Sequence, residues 1–171
     1  MVLSGIGKLM DSRLKPCGND LKMESAIKEA LELLAASREG ALATLEGAVP
    51  FVSAVGFVYI PPAGSQEPWG KIQLFLSELA RHTRNFQKNP NVSLLITENG
   101  PAPAYEKKRV TAQGTIGRVT EEIQVTEFKT RYLRAFPSAE MLFGFSDFRC
   151  FEIKISEIHW IGGFGKIETF R

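Results

Sequence analysis

The densest group of polar side chains lies in the segment Ser77–Asn85, where an apolar run gives way to a short helical pattern. The exposed N–H groups at the start of a helix bind anions, and guanidinium and imidazole groups beside them can form a phosphate clamp. Ser77 is predicted to cap this helix, with Arg81 and His82 in its first turn and Asn85 on the same face as His82. The same spacing also fits a hydrated basic helix face, so the sequence leaves both interpretations open.

A second candidate is the glycine-rich segment 160–165, which follows an apolar run. It lacks the GxGxxG spacing of a dinucleotide-binding loop. Glycines let a chain pass close to a planar ring, and they also occur in irregular termini. We expect Trp160 to line a cofactor groove, and the competing interpretation is that its indole packs in the core.

The other reactive residue types are isolated. His82 and His159 have no partner at metal-ligand spacing, and Cys17 and Cys150 form no CxxC pair, so neither a zinc site nor a disulfide framework is predicted. No GxSxG motif occurs, and no acid or base stands out. A hydrolase triad therefore has no support in the sequence.

The elements that position these residues follow from hydrophobic periodicity. Six strands are predicted, at 41–45, 51–60, 71–76, 92–97, 109–119 and 148–158. An amphipathic helix with Met23 on its inner face is expected to begin at that residue and to end near Gly40. Further helices are predicted at 79–88, with Leu79 turned inward, and at 120–136. Because the strands do not alternate regularly with long helices, a closed antiparallel barrel with peripheral helices fits better than a doubly wound parallel sheet.

Composition is that of an ordinary globular protein. The chain has 171 residues, 44% of them hydrophobic and 23% charged, with a formal net charge of +2. We expect an N-terminal arm at 1–20, mobile or dependent on a partner, and a single domain at 21–171. The small net charge gives no general drive towards nucleic acid or acidic membranes. No apolar run approaches a membrane span of about 18–20 residues, and no signal peptide is recognised, so a cytoplasmic protein is expected.

Three stretches together carry a family resemblance. The segment Leu74–Ile96 resembles the strand–helix–strand core of the pyridoxamine 5′-phosphate oxidase-like, FMN-binding split barrels. Ala41–Leu45 with Val49–Val55 is similar to the opening hairpin of that family, and 107–111 with 161–165 is closest to its haem-utilisation branch. The resemblance covers roughly residues 25–166 and implies a mainly β (α+β) fold, a six-stranded antiparallel Greek-key split β-barrel with peripheral helices.

The resemblance also implies where FMN would bind. It places the phosphate on the start of the short helix and on the second strand, with a residue of the fifth strand facing the site. The residues at those positions are Arg81, His82, Ser53 and Arg109. The backbone of Ser53, Ala54 and Val55 would bond the edge of the flavin ring, and the protein would exclude water while the cofactor transfers hydride or electrons.

The family implies a homodimer with the cofactor groove between subunits. A strongly apolar second strand, with Phe51, Val55, Phe57 and Tyr59, also predicts surface for a partner. The expected function is that of an FMN-binding oxidoreductase acting on a small redox substrate. Two alternatives stay open: a haem-binding or haem-degrading protein of the same fold, and a non-catalytic binding module that has lost its cofactor.

Overall fold

The computed structural model of the chain describes residues 18–64, 67–163 and 165–171. Most of the predicted N-terminal arm, residues 1–17, lies outside these ranges, and residues 18–20 belong to the first helix. The helices are α1 (Gly18–Ala36), α2 (Arg81–Lys88) and α3 (Glu122–Ala135), followed by a 3₁₀ helix at Pro137–Gly144. The strands are β1 (Glu39–Glu46), β2 (Val49–Gly56), β3 (Val58–Ile60), β4 (Lys71–Ser77), β5 (Asn91–Thr97), β6 (Arg109–Arg118), β7 (Phe148–Ile161) and β8 (Ile167–Phe170).

All strand pairs are antiparallel, in the order β2-β1-β5-β6-β7-β4-β3, with β8 added to β7. The two ends of this order, β2 and β3, are separated in the chain only by Phe57. The segment therefore pairs with β1 over its first part and with β4 over its second, which curls the sheet into a barrel. Because α2 connects β4 and β5, which are not neighbours in the sheet, the topology is of the Greek-key type. The predicted fold class is confirmed.

The barrel core is formed by alternate residues of the strands, as strand periodicity requires. Leu42 and Thr44 of β1 face inward, while the alternate residues Ala41 and Ala43 face outward. The largest fully buried side chains include Phe57, Leu74, Leu94, Ile153 and Trp160. This interior also receives Ala30 and Leu34 from α1 and Phe86 from α2.

A smaller apolar layer covers the outer face of β4 and β7. Phe75 of β4 stacks on Phe143 of the 3₁₀ helix, with the ring centroids 3.9 Å apart. Phe128 and Tyr132 of α3 pack beside them, and Cys150 of β7 lies in the same cluster. β4 is therefore buried on both faces. The late helix predicted at 120–136 is present as α3, and Phe128 and Tyr132 are its buried residues.

Several local predictions were wrong. The short helix begins at Arg81, and Leu79 is 71% exposed because Ser77–Ala80 forms a turn before it. Gly40 lies inside β1, and Met23 is on the exposed side of α1. The predicted strand 51–60 is divided into β2 and β3 where the chain passes from one neighbour to the other, and β8 was not predicted.

None of the helices in the described parts of the chain is both long enough and apolar enough to cross a membrane.

Candidate functional site

The first turn of α2 lies against β2, and His82 makes the contact. Its ring Nδ1 is 3.1 Å from Ser53 Oγ, a hydrogen bond between two residues that the sequence placed in the phosphate site. Ser53 faces the barrel interior because it pairs with the inward Leu42 of β1. The structure thus brings together the predicted helix and second-strand positions.

The side chain of His82 is half-buried at this contact. Burial lowers its pKa below the ordinary value of 6.5, so the neutral ring is favoured near neutral pH. Its Nε2 atom is buried and has no hydrogen-bond partner among the described residues. A neutral imidazole can donate or accept one hydrogen bond at this atom, but it adds no positive charge to the site.

Arg81 lies on the exposed side of the same turn and is already paired. Its Nε donates to Glu46 Oε2 over 2.9 Å, and Nη2 contacts the same oxygen. The guanidinium carbon also lies 4.5 Å from the centroid of the Phe51 ring, a cation–π contact. Arg81 is the cation of the site, and its side chain is held between the ends of β1 and β2.

Asn85 is buried below this turn, with 4% of its surface exposed. Its Nδ2 donates to Thr44 Oγ1 over 3.1 Å, and the Thr44 hydroxyl in turn donates to the Phe51 carbonyl over 3.3 Å. These bonds fasten α2 to the β1–β2 hairpin from the inside. In the described chain Asn85 positions the helix and presents no group to the surface.

Ser77 does not cap α2. Its hydroxyl donates to Asp147 Oδ2 over 2.5 Å and accepts the N–H of Leu79, while the Ser77 carbonyl accepts the Thr83 hydroxyl. Ala80 is the N-cap residue and supplies no side-chain bond. The N–H groups of the first turn therefore lack a side-chain cap, and Ser77 instead fixes the turn that precedes the helix.

Arg109 is not brought to the α2 turn within this chain. It begins β6 and pairs with Thr97, at the level of the first residues of β1. Arg81 contacts Glu46 at the last residue of β1, about 20 Å away along the strand. The Arg109 Nη1 donates to the carbonyls of Ala104 and Lys107 over 2.8 and 3.4 Å, so it stabilises the loop before β6.

Trp160 lies within β7 and belongs to the barrel core, with 2% of its surface exposed. A Cβ at Gly162 would be 3.0 Å from the indole Nε1, so the glycine fits closely over the ring. This placement agrees with the packing interpretation of Trp160. Phe164, between the glycines of the same segment, lies outside the described residues.

The remaining predicted residues lie on β2, which has only one ladder partner. Val55 is buried in the core and Ala54 faces outward. Since β2 ends the strand order, its second edge pairs with no other described strand. Backbone N–H and C=O groups on an unpaired edge can bond a planar polar ligand or another chain.

The outer face of β2, β1 and β5 carries no charged residue over its central rows. It consists of small and apolar side chains: Pro50, Val52, Ala54, Ala41, Ala43, Leu45, Ser93 and Leu95. Val52 is 59% exposed. A shallow groove of about 350 Å³ runs over this face and is bordered by polar residues of β6, Gln113 and Thr115.

The exposed apolar residues of this face are not the ones that the sequence predicted as partner surface. Of the apolar residues proposed as partner surface, Val55, Phe57 and Tyr59 are buried in the barrel, and Phe51 is half-buried beneath Arg81. The exposed apolar residues of the strand are the alternate ones. Within the described residues, no three His, Cys, Asp or Glu side chains converge closely enough to hold a metal ion.

Sequence reasoning missed Glu46 and Thr44 as parts of this site. Glu46 directly follows the predicted strand 41–45, and it lies at the hairpin tip because it ends β1 opposite Val49. Thr44 is polar at an inward position of an apolar strand, and this mismatch signals a buried partner.

The fold has relatives that bind different cofactors. The family model described as CREG, beta-barrel, matches residues 21–170. A haem-binding protein from Mycobacterium smegmatis superposes with a TM-score of 0.74 at 24% identity, over 92% of this chain and 59% of that one. The chain therefore spans about three fifths of that protein's length. No curated protein matches the sequence.

Two further solved structures share the fold. A FAD-binding protein from Mesorhizobium loti has a TM-score of 0.61 and 20% identity, over 77% of this chain and 88% of that one. A Listeria innocua protein provisionally assigned as a pyridoxamine 5′-phosphate oxidase has a TM-score of 0.62 and 14% identity, over 80% and 98%. At these identities the likeness concerns the fold, and the predicted split-barrel resemblance is confirmed. The chain belongs to the CREG β-barrel family.

Proposed function

We propose that the protein binds FMN beside the α2–β2 contact and acts as a flavin-dependent oxidoreductase. The observation that carries this proposal is the meeting of Arg81 and His82 with Ser53 next to the unpaired edge of β2. When bound, FMN supplies hydride or electron transfer at its ring. Relatives of the same fold that bind FAD or haem support a planar cofactor.

Two parts of the site fit FMN, one for its ring and one for its phosphate. The backbone edge at Ser53–Val55, which pairs with no other described strand, can bond the ring edge, and the buried Nε2 of His82 is a polar atom without a partner among the described residues. For the phosphate, the chain offers the Arg81 guanidinium, the uncapped N–H groups of the first turn and the Ser53 hydroxyl. Because His82 is neutral, it would serve as a hydrogen-bonding group and not as a second cation.

A second copy of the chain completes the proposed groove. The outer face of β2, β1 and β5, which is uncharged over its central rows, lies beside the β2 edge and leaves Val52 and Leu95 exposed in the described part of one chain. Burial of such a face against its own copy is favourable and excludes water from a ring bound at its border. Arg109, which is far from Arg81 in one chain, would then contact the cofactor only from the other subunit.

The absorption spectrum of the purified protein, followed by titration with FMN and with haem, tests the proposal. A flavin band near ~450 nm, present as purified or saturable on addition of FMN, is expected. Saturable haem binding with a Soret band and no flavin binding would replace the proposal with the haem alternative. A colourless protein that is stabilised by neither compound would be a non-catalytic binding module.

A further inference from the structure

The α2–β2 site contains an acidic residue where a phosphate site needs free positive charge. Glu46 Oε2 accepts two contacts from Arg81, one from Nε over 2.9 Å and one from Nη2. Phe51 covers the guanidinium at 4.5 Å. The arginine is therefore held on the β1–β2 hairpin by a carboxylate and a ring, with its charge already paired.

The other residues predicted to hold the phosphate do not compensate. Ser53 is uncharged, His82 is kept neutral by burial, and Arg109 bonds two carbonyls at the opposite end of β1. The net charge of the Arg81–Glu46 pair is zero. A phosphate would have to displace the carboxylate from Arg81 or remain next to it, and two like charges at such a distance repel each other.

We propose that Glu46 is a specificity-determining residue that competes with phosphate for Arg81 and disfavours phosphate-bearing ligands. The inference rests on the proposed flavin site. It predicts that the protein holds FMN loosely and discriminates little between FMN and riboflavin, whose side chain carries no phosphate. Glu46 thereby sets which form of the flavin the site accepts.

The test is the substitution Glu46→Gln, which keeps the size of the side chain and removes its charge. The dissociation constant of FMN, measured by quenching of flavin fluorescence, should fall about two- to tenfold, while that of riboflavin stays unchanged. In the double variant with Arg81→Gln, the gain for FMN should disappear. An equal change for both flavins, or no change for either, would overturn the proposal.

Glu39→Gln is the matched control. It removes the same charge from the other end of β1, where Glu39 is exposed and pairs with Gly56. We expect it to alter the affinity for neither flavin. A gain for FMN equal to that of the Glu46 variant would show a general effect of net charge and would contradict a local competition.

Failure of the flavin site itself can be recognised separately. If neither flavin binds to any variant, inorganic phosphate serves as the probe, with the Arg81 Nε–H followed by NMR in arginine-labelled protein. A response to millimolar phosphate in the Glu46→Gln variant, absent in the wild type, would support the competition without a flavin. Equal responses in both proteins, or none in either, would refute it.

Discussion

At the scale of single residues, the site is defined by which polar groups are already paired. His82, Ser53, Asn85 and Thr44 bond one another in two pairs beneath α2, and Arg81 is paired at the surface. Buried polar groups are costly when unpaired, so the interior pairs also specify how the helix packs. Among these groups, His82 Nε2 is the buried atom that has no partner among the described residues. A ligand that forms a hydrogen bond with this atom would gain most in binding free energy.

The lowered pKa of His82 predicts a pH-dependent stability. The unfolded chain takes up a proton near the usual pKa of about 6.5, whereas the folded chain does so only at lower pH. The free energy of unfolding should therefore decrease as the pH falls below about 6.5, with a slope for this group of at most ~1.4 kcal/mol per pH unit. Urea unfolding of the wild type and of His82→Gln at several pH values measures the difference.

The comparison isolates His82, because the wild type and the His82→Gln variant share every other titratable group. If the His82 variant retains the full pH dependence of the wild type, His82 is not the cause of the loss of stability at low pH.

The burial of Trp160 predicts a cost in stability on truncation of its ring. Trp160→Phe should lower the free energy of unfolding of the cofactor-free protein by about 1–3 kcal/mol, because the indole fills the core beneath Gly162. Chemical denaturation measures this loss. Unchanged stability together with altered flavin absorption would instead place the ring in the cofactor groove.

At the scale of elements, the register of β6 against β7 depends on one glycine. The register shifts between Gln113 and Gly114, which marks a bulge, and a Cβ at Gly114 would clash with the Lys154 carbonyl oxygen. Bulges bend a strand, and this one lies in the longest ladder of the barrel. The curvature that brings β7 towards β4 therefore requires a residue without a Cβ at Gly114.

Gly114→Ala is therefore expected to destabilise the fold by more than about 3 kcal/mol or to prevent folding. Gly117→Ala, in the same strand, is the matched variant because a Cβ there meets nothing within 4 Å. It should change the free energy of unfolding by less than about 1 kcal/mol. Thermal and urea unfolding compare the two, and similar losses in both would argue against the close approach at Gly114.

At the scale of the whole molecule, the barrel separates two kinds of surface. α3 and the 3₁₀ helix cover the outside of β4 and β7, whereas Val52 and Leu95 on the outside of β2, β1 and β5 are exposed in the described part of the chain. Both sheet faces carry apolar side chains, and only the first is covered by the described elements. We expect the second to be covered by another copy.

Val52→Lys tests this assembly. The wild type should scatter light as twice the 19.0 kDa chain at micromolar concentration, and the variant as a single chain, because a charge buried in the face is strongly unfavourable. Leu79→Lys, at an exposed apolar residue outside the face, should leave the dimer intact. A wild-type mass of 19.0 kDa would contradict the predicted dimer.

The strand pattern predicted an antiparallel barrel, because alternation of apolar residues is a local signal, and the family resemblance added the Greek-key split-barrel topology. The resemblance placed His82 and Ser53 in one phosphate site, and the structure shows that their side chains are in contact. The pairing of Arg81 with Glu46 could not be read from the chain, since it depends on where the hairpin tip meets α2. The burial of Trp160 was one of two open interpretations, which only packing distinguishes.

The closure of the barrel at β4 and β7 determines when the molecule can acquire its core. That ladder joins Ser77 to Phe148, so its contacts have high contact order and form only after a long stretch of chain has been ordered. The β1–β2 hairpin and the β5–β6 pair can form early from neighbouring residues, yet their apolar faces stay open to solvent until β7 docks between β6 and β4. Because one of the latest strands completes the barrel, we expect the chain to fold in milliseconds to seconds, as β proteins rich in non-local contacts do.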